Sequence, residues 1–486
     1  MSEVLRLKAG EGSPEPSIRG WLIAVSLVLF AAVAVSLVIL SGNSEMALMG
    51  AAGAAGAIVA APFFLKRPFL GLLALVFFAQ LNALALVVFS ALSIDSPIKF
   101  LAVLTLGAAL YQYRLRFINR SLTNEPYIAR FVIVLTGALM ISVLFARSTH
   151  MATDEVRRFL AVVLIVFLVS GLTTDKKRLE LIVLAIVVST LVSALFVLYD
   201  WGAGGATFSS QLSDQRSSWQ DTVRSSGGSL EGATMAATML LCGTSLAICL
   251  AARASRWRLY TVPTALIGTF AIALTLTRSA TVTLVLLLTW LAWRMRRQKG
   301  IVFMVVGVIV TGTIMLPLLP DAFWDKISTL TETQRDSTLL RRLSYHIIGL
   351  DLLLKYPLTG IGAGNFPIFY GDFEYRFIPG RYDLRPLHNQ YLQYPVESGL
   401  LAGMAYVGML FSSFLSFRYT SIHARSEELR VLSEGLMFSF VSIIVQMFYL
   451  SSKFNKYLWV YIGLAIAVRA LLNDEERGSA PNGSRD

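Results

Sequence analysis

One histidine and two arginines are the side chains best suited to chemistry in this sequence. His388 stands in LHNQYL, just ahead of an apolar run that opens near Gly399. Arg278 stands in LTLTRSAT, between two apolar runs with almost no loop, and Arg224 stands in TVRSSGG, before a run that opens near Ala233. An imidazole can take up a proton near neutral pH, as a general base must. Two guanidinium forks match the oxygens of a diphosphate. The chemistry these types allow is activation of a hydroxyl by a base while cations hold an anionic group. Arg278, at or near membrane depth, needs a partner. Ionisable residues there are functional candidates by default, and pairing with a carboxylate or snorkelling to headgroups is the plain alternative. Arg224 alone reads as a solvated loop residue, and His388 alone as a histidine satisfied by a local hydrogen bond.

Weaker candidates surround these three. Asn389, Tyr391, Glu397, Arg385, Arg341 and Arg342 are supporting positions. Arg341, Arg342, Arg376, Arg381 and Arg385 could recruit an anionic lipid or glycan, or simply form a solvated face. Glu397 could act as a base, but the ESG before a helix also suits a helix N-terminus electrostatically. His150 and His346 have no convincing partners in sequence, and His423 falls in a loop expected to be cytoplasmic. GIGAGNF at 360–366 has GxGxG spacing and no preceding strand, so it reads as a tight turn whose amides could face an anion. HExxH, GxSxG, Cys/His clusters and a DxD-like acidic pair at a span mouth do not occur, which argues against metal-dependent transfer, and no cofactor is expected. Cys242 and Cys249 lie seven apart in one apolar run, share a helix face and cannot pair with each other.

The elements that must position these residues are membrane spans. Over 486 residues the chain is 55% hydrophobic, with mean hydropathy +0.65. Repeated apolar runs of about 17 to 22 residues mark an all-α, polytopic helical membrane protein. Fourteen runs qualify: 21–40, 46–65, 69–92, 98–113, 127–146, 157–172, 179–199, 233–252, 259–276, 279–293, 301–319, 399–417, 431–450 and 456–472. Connecting loops alternate in charge. KRP, YRLRFINR, DKKR, RASRWR, RMRRQK and RYTSIHARSEELR are basic, whereas SGNSE, SIDSP and STH are not. The positive-inside rule puts the basic set and both termini in the cytoplasm, and it accounts for the +12 net charge without nucleic acid. Trp21, Trp201, Trp257, Trp293 and Trp459 fall at or near span ends, where an interfacial position is expected.

Domain organisation follows from this. Residues 1–20 form a cytoplasmic tail, 21–319 hold spans one to eleven, 320–398 form a large outer loop, 399–472 hold the last three spans, and 473–486 form a second cytoplasmic tail. Loops 200–232 and 320–398 are too long for simple connectors. Both fall on the non-cytoplasmic face, where the function is expected. In 320–398, Ser337 or Thr338 can cap a helix, and Leu339, Leu343, Ile347, Leu350 and Leu354 then recur at helical spacing. That helix, ending before Pro357, is expected to lie along the membrane surface or to roof a cavity.

RRLSYHIIGLDLLLKYPLTGIGAGNFPIFY, followed by LHNQYLQYPVESGLLAGMAYVGML, resembles the O-antigen ligase and polymerase superfamily. The shared pattern is an arginine-led helix, a Pro-x-x-Gly-x-Gly turn, a His-Asn-x-Tyr-Leu segment and a Glu-x-Gly-Leu motif that opens a span. The close match covers about 341–408. LTLTRSA fits the family's arginine at a span end, although the order Arg278-Ser279 reverses the Ser-Arg commonly seen, and VRSSGG fits a third position more loosely. The resemblance implies a metal-independent, inverting glycosyltransferase at the periplasmic face of a bacterial inner membrane. Its donor would be a glycan on undecaprenyl diphosphate and its acceptor a glycan or lipid, with membrane lipids and a chain-length regulator as further partners. By this resemblance Arg224 and Arg278 would bind the diphosphate and His388 would activate the acceptor hydroxyl. Fourteen spans with two large outer loops lean toward an O-antigen or exopolysaccharide polymerase. A ligase acting on lipid A core, or transfer to protein, stays open.

A transporter or flippase could also use fourteen spans. It should show paired repeats with broken spans at the midplane, and no such pairing is found in the sequence. An assembly scaffold would have no need of Arg278 and His388 together.

Overall fold

The computed structural model describes residues 66–89, 97–202, 218–219, 222–253, 255–294, 296, 306–310, 312–314, 316–319, 321–328, 337–379, 385–451 and 453–478. The chain divides into two compact units, residues 1–59 with 86–95, and residues 60–85 with 96–486. Apart from the end of one helix, everything below belongs to the second unit.

The fold is helical. In chain order the helices are α1 Pro68–Gln80, α2 Asn82–Phe89, α3 Pro97–Tyr113, α4 Arg116–Asn124, α5 Pro126–Ser142, α6 Thr149–Leu172, α7 Lys176–Gly202 and α8 Ala233–Arg253. There follow α9 Arg258–Leu274, α10 Arg278–Arg294, α11 Asp321–Ser328, α12 Ser337–Lys355, α13 Phe366–Tyr370, α14 Gln390–His423, α15 Glu427–Gln446 and α16 Lys456–Gly478. Between α7 and α8 a minimal antiparallel pair joins β1 Ser218–Trp219 to β2 Thr222–Val223. Local chemistry sets many of the boundaries. Pro68 and Pro126 open α1 and α5, where a missing N–H costs nothing. Ser148 caps α6, and Ser426 caps α15 ahead of Glu427 and Glu428, whose charges suit that helix end. Asn455 Oδ1 accepts from the amides of Tyr457 and Leu458 and so starts α16.

Among the described residues, five helices are long and apolar enough to cross a membrane: Pro126–Phe145, Lys176–Gly202, Ala233–Arg253, Gln390–His423 and Lys456–Arg477. Around them α14 packs on α5, α15 and α16, α8 packs on α15 and α9, and α6 packs on α16. The expected runs 21–40 and 46–65 lie outside the described residues, as do 301–305, 311 and 315 of the run 301–319.

Three expected spans differ in form. Run 69–92 is broken at Leu81. Asn82 Oδ1 accepts from the Leu230 amide at 2.6 Å, and the Ala83 amide donates to Gly228 O at 3.0 Å, so the chain turns to hold loop 224–232. Run 431–450 stops being helical at Gln446, which frees residues 447–451 to form a turn. Run 399–417 belongs to the longer α14, whose backbone breaks at Ser398 and Gly399 (φ +84°), at the expected boundary between outer loop and span.

The tryptophans divide. Trp201 and Trp293 are exposed, as an interfacial ring would be. Trp459 is fully buried, because its indole donates to the Lys453 carbonyl at 2.8 Å and its ring meets Phe159 edge-on. Trp257 is buried as well. A position near a span end therefore does not place these two rings in lipid. Cys242 and Cys249 are both free and buried.

Candidate active site

The His388 side of the site is built by α12 and by the segment that enters α14. Asn389 caps α14, its Oδ1 accepting from the amides of Tyr391 and Leu392 at 3.1 and 3.3 Å. The cap leaves His388 just outside the helix in the left-handed region, φ +56°. Non-glycine residues are uncommon there, although histidine is among those that adopt it more often. Two contacts with the turn after α15 hold it there. The His388 amide donates to Ser451 Oγ at 2.6 Å, and the Gln390 amide donates to Met447 O at 2.8 Å.

The imidazole of His388 lies 5.4 Å from the Tyr345 ring. Burial, and then the charges of Arg342, Arg385 and Arg341, push its pKa down to about 4. A group so placed is neutral at physiological pH and can accept a proton. Three of the supporting arginines thus act electrically on His388. Arg342 also lies over the Tyr449 ring at 5.9 Å.

His346, for which the sequence offered no partner, has two. Asn389 Nδ2 donates to His346 Nε2 at 3.1 Å, and His346 Nδ1 bonds the Arg342 carbonyl at 2.6 Å. The pairing fits a neutral ring with its proton on Nδ1. The side-chain amide that caps α14 is therefore itself oriented from α12. His346 lies one helical turn after Arg342, and the signal available in sequence was that spacing.

The second cluster joins the two expected diphosphate ligands. Arg278 is the first residue of α10, directly after Leu276 (φ +53°) and Thr277 in a tight turn. Arg224 crosses onto the same turn. Its Nε donates to Thr275 O at 3.1 Å, and its terminal nitrogen donates to Thr277 Oγ1 at 2.8 Å and to Thr234 Oγ1 at 3.3 Å. Burial first, and then the charge of Arg278, lower the Arg224 pKa to about 10, so the guanidinium stays charged at neutral pH. Loop 224–232 can make this approach because Ser225, Ser226 and Ser229 are buried and Ser193 Oγ donates to Gly227 O at 2.7 Å. At Gly227 (φ +55°) a side chain would strike Ser193.

Gln446 connects the two clusters. This fully buried amide at the end of α15 donates to Ser279 O at 2.9 Å and to Thr283 Oγ1 at 2.8 Å, and accepts from Ser279 Oγ at 3.2 Å. The turn just after it holds Gln390 and His388. A glutamine inside run 431–450 was the sequence signal for this link, since polar groups at that depth are retained for a partner.

Tyr391 and Glu397 take other places. Tyr391 donates its hydroxyl to Ile444 O at 2.9 Å and its ring lies tilted against Phe448 with centroids 4.2 Å apart, which ties α14 to α15 and the turn after it. Glu397 lies directly before the break at Ser398 and Gly399, so ESG does precede a helical segment, as the sequence suggests. It is buried inside α14, where Lys453 Nζ donates to its carboxylate and to that of Glu155. Gln393 Nε2 and the Gly364 amide donate to Glu397 at 2.8 and 2.7 Å. The anion faced by the GIGAGNF turn is thus Glu397 itself. Gly360 (φ +67°) sits so close to Glu397 that a Cβ would come within 2.3 Å of its backbone. With these partners Glu397 fixes the turn to α14. Arg376 lies between Phe373 and Phe377 and is exposed. Arg381 lies outside the described residues.

The motif order along α10, α12, the glycine turn and α14 can now be compared with known families. Residues 263–407 match the family model described as O-antigen ligase. The match supports the resemblance to the O-antigen ligase and polymerase superfamily, a class of membrane glycosyltransferase-like proteins that act on lipid-linked glycans. The matched region begins inside α9, ends within α14, and takes in Arg278, Arg341, Arg342, Arg385 and His388. Arg224 lies outside it. Family and apolar helices together make the chain a helical membrane protein. Comparison with curated proteins gives no match.

Proposed function

We propose that this protein transfers a glycan from undecaprenyl diphosphate to an acceptor hydroxyl at the periplasmic face of a bacterial inner membrane. The observation that carries the proposal is the neutral His388 imidazole, ringed by Arg341, Arg342 and Arg385, in the region that matches O-antigen ligase. His388 takes the proton of the acceptor hydroxyl. The acceptor oxygen forms a bond to the anomeric carbon of the donor, with inversion. The bond from that carbon to the diphosphate oxygen breaks, and lipid diphosphate leaves. Arg224 and Arg278 hold the diphosphate, where fixed cations act on charge that grows in the transition state. The charge of Arg278 acts on Arg224, which favours an anion between them. In this reading both termini are cytoplasmic.

Polymerisation of surface polysaccharide is the favoured form, on the fourteen apolar runs and two long outer loops of the sequence. Ligation to lipid A core is the second reading, and the description of the matched family favours it. Deletion of the gene, followed by gel and mass analysis of lipid-linked glycans and surface polysaccharide, separates the two. Single repeat units left on the carrier mean polymerase. Long chains left on the carrier, with none on the final acceptor, mean ligase. No change in either pool removes the glycan reading and brings a transporter forward.

A further inference from the structure

Helix α12 is apolar on two opposite faces. Tyr345, Ile348 and Leu352 are buried with Phe366, Tyr370 and Leu387 in the small core beneath His388. The expected stripe is a different face. Leu343, Ile347, Leu350 and Leu354 lie 44–82% exposed. At about 100° per residue, the two sets point about 180° apart. Arg342 and His346 flank the exposed stripe on one side, and Asp351 and Lys355 on the other. A soluble helix would not keep four leucine-type side chains in water on the face away from its core.

The exposed stripe continues without a break onto a spanning helix. After α12 the Pro357 carbonyl accepts from the Leu400 amide at 2.8 Å, and Leu358 O lies against Gly399. Leu358, 83% exposed, therefore sits beside Leu400 and Leu401, which begin the outward face of α14. That face runs on through Met404, Val407 and Phe411, all exposed, in one of the five helices able to cross a membrane. Near the end of α12, Lys355 pairs with Glu374 and Asp351 accepts from Tyr375, which brings segment 373–377 alongside. There Arg376 lies over the rings of Phe373 and Phe377 at 3.7 and 4.2 Å. Both rings are at least 75% exposed. Exposed phenylalanine rings beside an arginine suit an interfacial segment, with the rings toward acyl chains and the cation toward headgroups.

We propose that α12 is an interfacial helix whose outer stripe lies in the lipid leaflet entered by α14, with Phe373, Arg376 and Phe377 at the headgroup level. The occupant of this face is phospholipid, since the face is one surface with the lipid-facing side of a span. A helix so seated sinks its apolar face roughly 5–10 Å into the leaflet and is about 10–12 Å across. His388, packed beneath the opposite face of α12, is then held within about one helix diameter of the lipid surface. The inference does not depend on the glycan-transfer reading.

Spin labels on the full chain in phosphatidylethanolamine–phosphatidylglycerol bilayers test it. The native Cys242 and Cys249 are buried and leave labelling to the introduced sites. Labels at Leu350→Cys, Leu354→Cys and Leu358→Cys are compared with Met404→Cys as the lipid reference and Glu427→Cys as the water reference. The expected result is a ratio of oxygen to nickel-chelate collisions that matches position 404 and is several-fold above position 427. A ratio equal to that at 427 would put the stripe in water and overturn the proposal. Protection from both reagents would also overturn it, by showing the stripe covered by protein. Ile347→Cys, one turn away, is read by the same criteria should a variant fail to assemble.

Discussion

Gln446 grips Ser279 with both ends of its amide, Nε2 on the Ser279 carbonyl at 2.9 Å and Oε1 accepting from the hydroxyl at 3.2 Å. Ser279 follows Arg278 in sequence. Met447, which follows Gln446, accepts from the Gln390 amide two residues after His388. One buried side chain and its neighbour thus set the register between the arginine turn and the histidine turn.

Gln446→Leu should therefore weaken both fold and turnover. It takes from the Ser279 hydroxyl its acceptor, while the Ser279 carbonyl and the Thr283 hydroxyl keep each other, at a cost of about 1–3 kcal/mol. A thermal melt in detergent should shift down by several degrees, and transfer should fall more than expression does. An unchanged melt would mean that the amide does not clamp the two turns.

His388→Ala should reduce glycan transfer by roughly 10²–10⁴-fold, the range for loss of a general base. The protein should still insert and bind donor lipid, because the proposed diphosphate ligands Arg224 and Arg278 are left in place. Assay of purified variant against lipid-linked donor decides this. Turnover at the wild-type rate would remove the base assignment.

The pH profile follows from the charges around His388. Its pKa in the folded protein is about 4, below the ordinary 6.5. The base stays neutral above that value, so kcat/KM should hold through mildly acidic pH and drop only as pH approaches 4. Arg342→Gln removes the largest of the three charge effects, and the acid limb should move up toward 6.5. The unfolded chain binds this proton at about 6.5 and the folded chain only near 4, so stability should also decline as pH falls between the two. A wild-type acid limb already at 6.5 would contradict the burial and the arginine ring together.

Much of this was legible in the sequence, for a physical reason in each case. Apolar runs give helices because a bilayer leaves the backbone no other partner. The spacing of Leu343, Ile347, Leu350 and Leu354 pointed to α12, and the glycines at 360, 362 and 364 to a turn that has positive φ at each of the three. What the sequence hid were contacts across long separations. His346 meets Asn389, Gln446 meets Ser279, and Lys453 meets Glu155. No local spacing encodes such pairs. ESG does precede a helical segment after the break at Ser398 and Gly399, but the Lys453 partner of Glu397 lies 56 residues away and no spacing pointed to it.

Arg278→Lys should restore little of the function lost in Arg278→Ala. A lysine keeps the charge but gives up the planar fork, and with it bidentate contact to a diphosphate. Both variants should raise KM for the lipid-linked donor and lower kcat. Full recovery by lysine would show that point charge alone matters at this turn.

Lys453 offers the strongest test of how the glycine turn is held. Its ammonium is buried between Glu397 and Glu155, and the Glu397 side chain is only 2% exposed. Lys453→Met leaves two carboxylates buried without their cation, a loss on the order of 3–5 kcal/mol. The same change frees residues 447–453, which carry the Ser451 and Met447 contacts to His388 and Gln390. Glu397→Gln alone should cost less, since the amide oxygen can still accept from the Gly364 amide. Combining the two removes one uncompensated charge, so the double variant should melt above Lys453→Met. That non-additivity is the signature of a coupled pair, and a thermal double-mutant cycle in detergent measures it. Strictly additive shifts, or a Lys453→Met cost within about 0.5 kcal/mol of zero as at an unconstrained surface site, would mean that the triad does not hold the turn. Loss of transfer in Lys453→Met would then have to come from His388 itself.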